Sequence, residues 1–158
     1  MAIDDREIMK LALREARRAA RAGEIPVGAV VTAAGGDILA LGHNLTIRRC
    51  DPTAHAEVVA IRRAARRIGN YRLSGTTLYV TLEPCLLCLG AIVHARVARI
   101  VFAAADPKRG ALETAADRKI AGLLHHRYRV TGGIMEAEAA ALLREFFAPR
   151  RVARPSPR

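Results

Sequence analysis

The chain has 158 residues, of which 51% are hydrophobic, and this fits one compact domain with a core of ordinary size. It carries 26 Lys and Arg against 15 Asp and Glu, a formal net charge of +11, and it has no apolar run of the roughly 18 residues that a transmembrane helix needs. Three cysteines do not make a disulfide framework. Acidic residues Asp4, Asp5 and Glu7 stand where a secretory leader would be apolar, so we expect a cytoplasmic protein without a membrane partner.

Apolar periodicity and turn residues divide the chain into helices and strands. The predicted elements are a helix at 4–22, strands at 27–31 and 38–41, a helix at 53–69, a strand at 77–81, a helix at 84–94, strands at 99–103 and 128–130, and a helix at 136–147. Thr53 is a good N-cap and Gly69 a good stop for the second helix. Strand–helix–strand units of this length favour parallel pairing with helices on the sheet faces. The sequence therefore predicts one α/β domain at 1–148 and a basic, Pro- and Arg-rich tail at 149–158.

Two short segments carry the residues that indicate chemistry. His55-Ala56-Glu57 lies in the first turn of one predicted helix, and Glu83-Pro84-Cys85-Leu86-Leu87-Cys88 opens another. Zinc takes imidazole nitrogen and thiolate sulfur in a tetrahedron, so His55, Cys85 and Cys88 would fill three positions and leave the fourth for water. Zinc lowers the pKa of bound water from about 15.7 to roughly 7, and Glu57 is placed to move the proton. The pattern predicts one zinc ion per subunit and hydrolytic removal of an amine from a ring carbon.

Two other interpretations of the cysteines stay open. A Cys-x-x-Cys pair could be a redox motif, but Pro84 and the upstream His-x-Glu argue against this. Cys50 could complete a structural zinc site with three cysteines and one histidine, although such a site has no use for Glu57. We favour a catalytic zinc, with Cys50 as an incidental thiol near the pocket rim.

Several further segments extend the pattern beyond the metal ligands. They are Ile25-Pro26-Val27-Gly28-Ala29-Val30, His43-Asn44, Asp51-Pro52-Thr53-Ala54-His55, Asn70-Tyr71-Arg72-Leu73, Thr77 to Cys85, Asp106-Pro107-Lys108-Arg109-Gly110 and Leu142 to Phe147. With these, the chain resembles the zinc-dependent cytidine and deoxycytidylate deaminase superfamily, and most of all the bacterial tRNA adenosine deaminases, from about Ile8 to Arg151. The resemblance implies a three-layer α/β/α fold with a five-stranded mixed sheet, a homodimer, and conversion of the wobble adenosine of a tRNA anticodon loop to inosine.

The resemblance also assigns roles to individual residues. Glu57 is the catalytic proton carrier, and Arg150 and Arg151 are RNA contacts near the end of the last helix. The implied substrate-binding residues are Asn44, Ala56, Pro84, Val27 and Asp106. The arginine clusters at 14–18 and 62–67 fit either RNA contacts or solvated helix faces.

Two departures from the family pattern keep other substrates open. Residues 112–118 replace a Gly-Ser-Leu-like segment, and Leu45 stands where an arginine is common. The alternative enzyme is therefore a deaminase of a free base or nucleoside of the guanine, adenine or cytosine type. From another class, the alternative is a zinc-stabilised RNA-binding subunit without turnover.

Overall fold

The structure is a computed structural model, and it describes residues 4–112 and 118–152. Its elements are α1 (Asp5–Arg21), β1 (Gly28–Thr32), β2 (Ile38–His43), α2 (Thr46–Arg49), α3 (Ala56–Ile68), β3 (Thr77–Leu82), α4 (Leu86–His94), β4 (Arg99–Ala104), α5 (Arg118–Leu124), β5 (Arg129–Thr131) and α6 (Glu136–Val152). Every predicted helix and strand is present, and the short helices α2 and α5 are additional. In the described part of the chain, none of the helices combines the length and apolarity that crossing a membrane requires.

The five strands form one mixed sheet in the order β2-β1-β3-β4-β5. Strand β1 pairs antiparallel with β2 and with β3, whereas β3, β4 and β5 are parallel. Parallel neighbours need a crossover, and α4 provides it between β3 and β4. Strand β2 is an edge strand, and the loop after it lies at the same end of the sheet as the loop after β3.

Helices cover both faces of the sheet and bury its two sets of alternating side chains. Leu78 and Val80 of β3 point to the face covered by α3 and α4, with Leu124 of α5 packed at the margin. Tyr79, between them, points to the opposite face and packs with α1 and α6. This alternation is what a strand with two buried faces requires. The predicted three-layer α/β/α fold with a five-stranded mixed sheet is confirmed.

Two glycines allow helices to approach the first hairpin closely. A Cβ atom at Gly28 would lie 2.6 Å from the backbone nitrogen of Ala16 in α1, and one at Gly42 would lie 2.7 Å from the backbone nitrogen of Ala60 in α3. Any larger residue would push the helix away from the sheet. Both glycines therefore fix α1 and α3 against strands β1 and β2 next to the segment that carries Asn44.

The last helix continues beyond its predicted end at Phe147 and includes Pro149. Proline has no N–H to donate to the carbonyl four residues earlier, which is why the sequence predicted a stop. Arg150 supports this turn in another way, because its Nη1 donates to the Phe146 carbonyl at 2.7 Å and its guanidinium lies 3.5 Å from the centroid of the Phe146 ring. The helix end at Phe147 is thus wrong by five residues. A separate tail from residue 149 stays a prediction, and residues 153–158 lie outside the described part.

An ion pair joins the first helix to the sheet. Arg99 at the start of β4 donates from Nη1 and Nη2 to the two carboxylate oxygens of Asp5, at 2.9 and 2.7 Å, and the Tyr79 hydroxyl donates to Asp5 Oδ1 at 3.0 Å. The hydrogen bond from Arg99 is the main reason that the pKa of Asp5 lies below its ordinary value of 3.8. Because the charged form is favoured in the folded state, the contribution of Asp5 to stability is present above pH 3.8 and is lost as pH falls through the folded pKa.

We predict that Asp5→Asn lowers the free energy of unfolding at pH 7 by about 2 kcal/mol, since hydrogen bonds to charged groups contribute about that much. The difference from the unaltered protein should shrink as pH falls below 3.8, where both carry a neutral side chain at position 5. Urea unfolding at a series of pH values measures this. A difference that is the same at pH 3 and pH 7 would show that the charge of Asp5 does not matter.

Candidate active site

The three predicted zinc ligands meet at the beginnings of two helices. His55 is the N-cap of α3, Cys85 is the N-cap of α4, and Cys88 lies in the first turn of α4. His55 Nδ1 is 3.5 Å from Cys85 Sγ and 3.4 Å from Cys88 Sγ, and the three donor atoms all lie within 4.8 Å of one another. Ideal tetrahedral zinc, with its ordinary bond lengths to nitrogen and sulfur, would separate these atoms by about 3.5 Å. The donor set and its spacing fit one zinc ion.

The prediction that Thr53 caps the histidine helix is wrong. The backbone N–H and the hydroxyl of Thr53 both donate to Asp51 Oδ1, at 2.8 and 2.7 Å, so Thr53 belongs to a turn that Asp51 organises. The N-cap of α3 lies two residues after the predicted one: His55 is the cap, in extended conformation, and Ala56 is the first helical residue. His55 is therefore placed on the axis end of α3, where its side chain can reach the cysteines of α4.

The side chain of Asn44 holds the first turn of α3. Asn44 lies just after β2 and is buried, and its Oδ1 accepts a hydrogen bond from the Ala56 N–H at 2.8 Å. The imidazole of His55 makes no capping bond of its own. Asn44 thus supplies, from a neighbouring segment, the acceptor that an N-cap side chain normally provides.

The ligand cluster favours the charged form of one cysteine. The pKa of Cys85 is lowered to about 3, chiefly because the Cys88 thiol donates a hydrogen bond to it, and also because it is paired with His55. That same hydrogen bond, together with burial, raises the pKa of the Cys88 thiol, and the hydrogen bond with Cys85 raises the pKa of His55. The three side chains therefore share protons that a divalent cation would replace, since its ligands must be deprotonated.

Glu57 lies beside this cluster and is almost completely buried. It is the second residue of α3, and its side chain is removed from water in the folded protein. Burial raises its pKa from 4.5 to about 7, and the neighbouring charge of Cys85 acts in the same direction. A carboxyl group with a pKa near neutrality can both accept and donate a proton under physiological conditions.

Four of the predicted substrate-binding residues come from four segments that carry the ligands or contact the ligand-bearing segments. The Val27 carbonyl accepts from the Asn44 N–H at 3.3 Å, which ties the loop before β1 to the loop after β2. Ala56 is fully buried between His55 and Glu57, and Pro84, also buried, accepts from the Ala111 N–H at 2.9 Å. Of these four residues, Asn44 is the one with a polar side chain.

The loop after β4 is tied to the segment that carries Cys85, and sequence reasoning missed the residue that anchors it. Asp106 Oδ1 accepts from the backbone N–H groups of Lys108 and Arg109, both at 3.1 Å, and so closes its own turn. Glu83 Oε2 accepts from the Asp106 N–H at 2.9 Å, and a Cβ at Gly110 would collide with the Glu83 carboxylate. A carboxylate directly before Pro-Cys in the sequence was the available signal.

A second missed carboxylate holds helix α2. Glu24 is buried, and its two oxygens accept from the Ile47 N–H at 3.2 Å and the Arg48 N–H at 2.7 Å, with the Thr46 hydroxyl as a third donor. It lies outside the regular elements, so no periodicity marks it. Leu45, the departure from the family's usual arginine, is buried against Ala54 and Val59.

Three further residues named from the sequence are exposed. Cys50 is exposed, and its sulfur lies 3.7 Å from the Ile47 carbonyl. It is not part of the cluster of His55, Cys85 and Cys88, so the structure does not support Cys50 as a fourth metal ligand. Arg150 and Arg151 are exposed in the last turn of α6.

The sequence and the fold both match known proteins. The family model "Cytidine and deoxycytidylate deaminase zinc-binding region" matches residues 2–104. The tRNA-specific adenosine deaminase of Haemophilus influenzae is 46% identical over 147 residues, covering 93% of this chain and 85% of the relative, and that of Bacillus subtilis is 42% identical over 143 residues, covering 90% and 88%.

Two solved structures are similar in different degrees. One, from a study of A-to-I editing by tRNA:A34 deaminases at the wobble position of transfer RNA, has 43% identity and a TM-score of 0.82, and covers 87% of this chain and 99% of its own. A guanine deaminase from Nitrosomonas europaea has 26% identity and a TM-score of 0.79, and covers 94% and 86%.

We predict that His55→Ala weakens zinc binding by more than about 100-fold, since loss of a ligand should exceed the cost of losing a supporting residue. The melting temperature should also fall, because metal binding contributes to folding. Zinc content by mass spectrometry and thermal unfolding measure both effects. Cys50→Ser is the matched control and should keep one zinc per chain. Retention of zinc by His55→Ala, or its loss from Cys50→Ser, would contradict the assignment of ligands.

Proposed function

The chain belongs to the cytidine and deoxycytidylate deaminase family, and we propose that it converts the wobble adenosine of a tRNA anticodon loop to inosine. The observation that carries the hydrolytic chemistry is the buried carboxylate of Glu57, two residues after His55 and beside the paired cysteines. The substrate is supported by identities of 42–46% with tRNA-specific adenosine deaminases over about nine tenths of the chain.

The reaction needs water activation and a proton transfer. When bound, zinc supplies a Lewis acid that lowers the pKa of water from about 15.7 to roughly 7. Glu57 accepts the proton of the water whose oxygen is added at C6 of adenine, and it then delivers this proton to the exocyclic nitrogen. The bond from C6 to that nitrogen breaks, so adenosine and water give inosine and ammonia. A pKa raised to about 7 suits Glu57 for both transfers.

The substrate base is held by the residues around the ligands. Asn44 has its Oδ1 engaged by the Ala56 N–H, which fixes the amide and turns its NH₂ group, a donor of two hydrogen bonds, the other way. We assign this group to the base, with Val27, Ala56 and Pro84 as the surrounding wall. Asp106 acts through the shape of its loop, and Arg150 and Arg151 contact RNA.

A polynucleotide substrate suits the charge of the chain. A net charge of +11 is more than a small neutral base would need, and it attracts a phosphate backbone. Only six aromatic side chains and no Trp are present, so affinity must come mainly from phosphates rather than from stacking. A loop base is already unpaired, so little free energy is needed to move it into the site.

We also propose that the enzyme acts in the cytoplasm. None of Cys50, Cys85 and Cys88 forms a disulfide, which suits a reducing compartment. Cellular fractionation with an antibody against the chain tests this, and recovery in an oxidising compartment would contradict it.

The decisive experiment compares substrates for the zinc-loaded protein. An anticodon stem-loop with a wobble adenosine is incubated in parallel with free adenine, adenosine, guanine and cytidine, and inosine and ammonia are measured. We predict inosine in the stem-loop and loss of at least about 100-fold of this activity in Glu57→Gln, because proton transfer by a positioned group contributes that much or more. Glu138→Gln, at an exposed position of α6, makes the same chemical change and should retain activity.

The other outcomes separate the alternatives. Ammonia from guanine or another free base, with an unchanged stem-loop, would overturn the tRNA substrate and favour a small-molecule deaminase similar to the structurally related guanine deaminase. Binding of the stem-loop without turnover by fully zinc-loaded protein would favour a non-enzymatic RNA-binding subunit.

Besides RNA, we propose that the chain binds a second copy of itself. Helix α4 has no polar residue before its last one, His94: Cys88, Leu89 and Ile92 are buried, yet Leu86 and Leu87 on another side are 65% and 43% exposed. A helix that is apolar all round is normally buried all round. We therefore propose a homodimer in which this side of α4 packs against the partner.

We predict that Leu87→Arg converts a dimer to a monomer, because it places a charge in an apolar interface. Light scattering after size-exclusion chromatography measures the mass, and zinc content shows that the neighbouring ligands are intact. Val130→Arg, on the edge strand β5 and similarly exposed, is the control and should stay dimeric. A monomeric unaltered protein, or a dimeric Leu87→Arg with full zinc content, would refute the proposal.

A further inference from the structure

A basic groove runs along the edge strand β2, outside the site already described. Its volume is about 520 Å³, and it lies between α1 and α3. The groove is lined by Glu15, Arg18, Ile38, Leu39, Ala40, Leu41, His43, Arg63 and Arg67. The guanidinium groups of Arg18, Arg63 and Arg67 therefore border a groove whose base is formed by β2.

The single carboxylate of the groove is already engaged. Glu15 is buried, and its two oxygens contact Arg18 Nη1 at 2.8 Å and His43 Nδ1 at 2.7 Å. It therefore cannot neutralise Arg63 and Arg67, and among the residues that the structure describes no carboxylate lies within ion-pair distance of either. The groove keeps a net positive charge.

Arg63 and Arg67 are held in place by the strand and not by an acid. Arg63 Nη1 donates to the Leu41 carbonyl at 2.8 Å, and Arg67 Nη1 donates to the carbonyls of Ile38 and Leu39 at 3.1 and 3.2 Å. These bonds cover outward carbonyls of an edge strand, which is one way to prevent unwanted strand pairing. Each guanidinium has five N–H groups, so most of its donors stay free for an anion.

The groove leads away from the active site along one helix. Arg63 and Arg67 follow Glu57 by six and ten residues on α3, which places them about 9 and 15 Å further along the helix axis. At the other end, His43 precedes Asn44, whose side chain holds the first turn of that same helix. Arg14, Arg17 and Arg21 are further exposed arginines of α1, the helix that contributes Arg18 to the groove.

We propose that this groove binds the phosphodiester backbone of the RNA whose base enters the active site, through Arg63 and Arg67. The inference rests on the proposed function. Planar guanidinium groups with free donors match phosphate oxygens, and two of them at i and i+4 on one helix face present a row to a chain of phosphates. The row of arginines leads away from Glu57 along α3. A single RNA strand can therefore contact both the groove and the active site.

The test is the salt dependence of tRNA binding by zinc-loaded protein. Labelled full-length tRNA is titrated with the unaltered protein, with Arg63→Gln/Arg67→Gln, and with Arg127→Gln/Arg129→Gln, which removes two exposed arginines near the opposite sheet edge. Between about 50 and 200 mM salt, loss of two phosphate contacts should make the slope of log K against log salt shallower by about 1.5. We expect about tenfold weaker binding for the groove variant and no change of slope for the control.

A charge-retaining variant separates binding from folding. Arg63→Lys/Arg67→Lys should restore most of the slope, since lysine still carries the charge that releases a counterion. If Arg63→Gln/Arg67→Gln lowers the melting temperature but leaves the slope unchanged, the two arginines only cover the edge strand and the proposal is overturned. A groove variant that loses affinity for a polyglutamate peptide, and none for tRNA, would also overturn it in favour of an acidic protein partner.

The two proposals fail in different ways. If the stem-loop is not deaminated but the groove variant still loses the tRNA salt slope, the proposed substrate is wrong and the RNA groove stands. If the stem-loop is deaminated and all variants bind tRNA with one slope, the substrate stands and the groove proposal is wrong.

Discussion

The hydrogen bond from the Ala56 N–H to Asn44 Oδ1 is the contact on which the site depends. His55 and Cys85 both occupy N-cap positions, and neither side chain makes a capping bond, because both point to the shared ligand cluster. A residue that binds metal cannot also satisfy the free N–H groups of its own helix. For α3, Asn44 resolves this conflict by capping from the neighbouring segment. The same amide then stands next to the position proposed for the base, so helix start, metal ligand and substrate contact are fixed together.

Features of the fold and the site that depend on residues close together in the sequence could be predicted, and those that depend on residues far apart could not. The metal cluster follows from sequence because its chemistry is carried by residue type and local spacing, and the three-layer fold follows from periodicity and the order of elements. The start of α3 was misplaced because Thr53 has the side chain of an N-cap, whereas in the structure Asp51 draws it into a turn. The true start of α3 can be recognised only when it is known that the Ala56 N–H donates to Asn44, twelve residues earlier.

The unpredicted parts share one physical feature, which is a side chain that satisfies backbone groups. Glu24 and Glu83 are carboxylates that accept backbone N–H groups 24 and 23 residues away, at Arg48 and Asp106. Sequence shows the acid but not its donors, and a glutamate outside a helix resembles an ordinary surface residue. The extension of α6 past Pro149 differs in range, since the side chain of Arg150 bonds to the Phe146 carbonyl only four residues earlier, but it too is a side chain that satisfies a backbone group.

Arginine, rather than positive charge in general, explains how the basic surface and the fold are connected. Only Lys10, Lys108 and Lys119 are lysines among the 26 basic residues. An ammonium group is a single point charge, whereas a guanidinium offers donors in a plane and in several directions. Arg63 can therefore cover a carbonyl of β2 with one N–H and present others to solvent. Because the strand orients the guanidinium before any anion arrives, less side-chain freedom remains to be lost on binding. The edge strand whose carbonyls are covered by arginines thus also orients a row of hydrogen-bond donors that can bind anions.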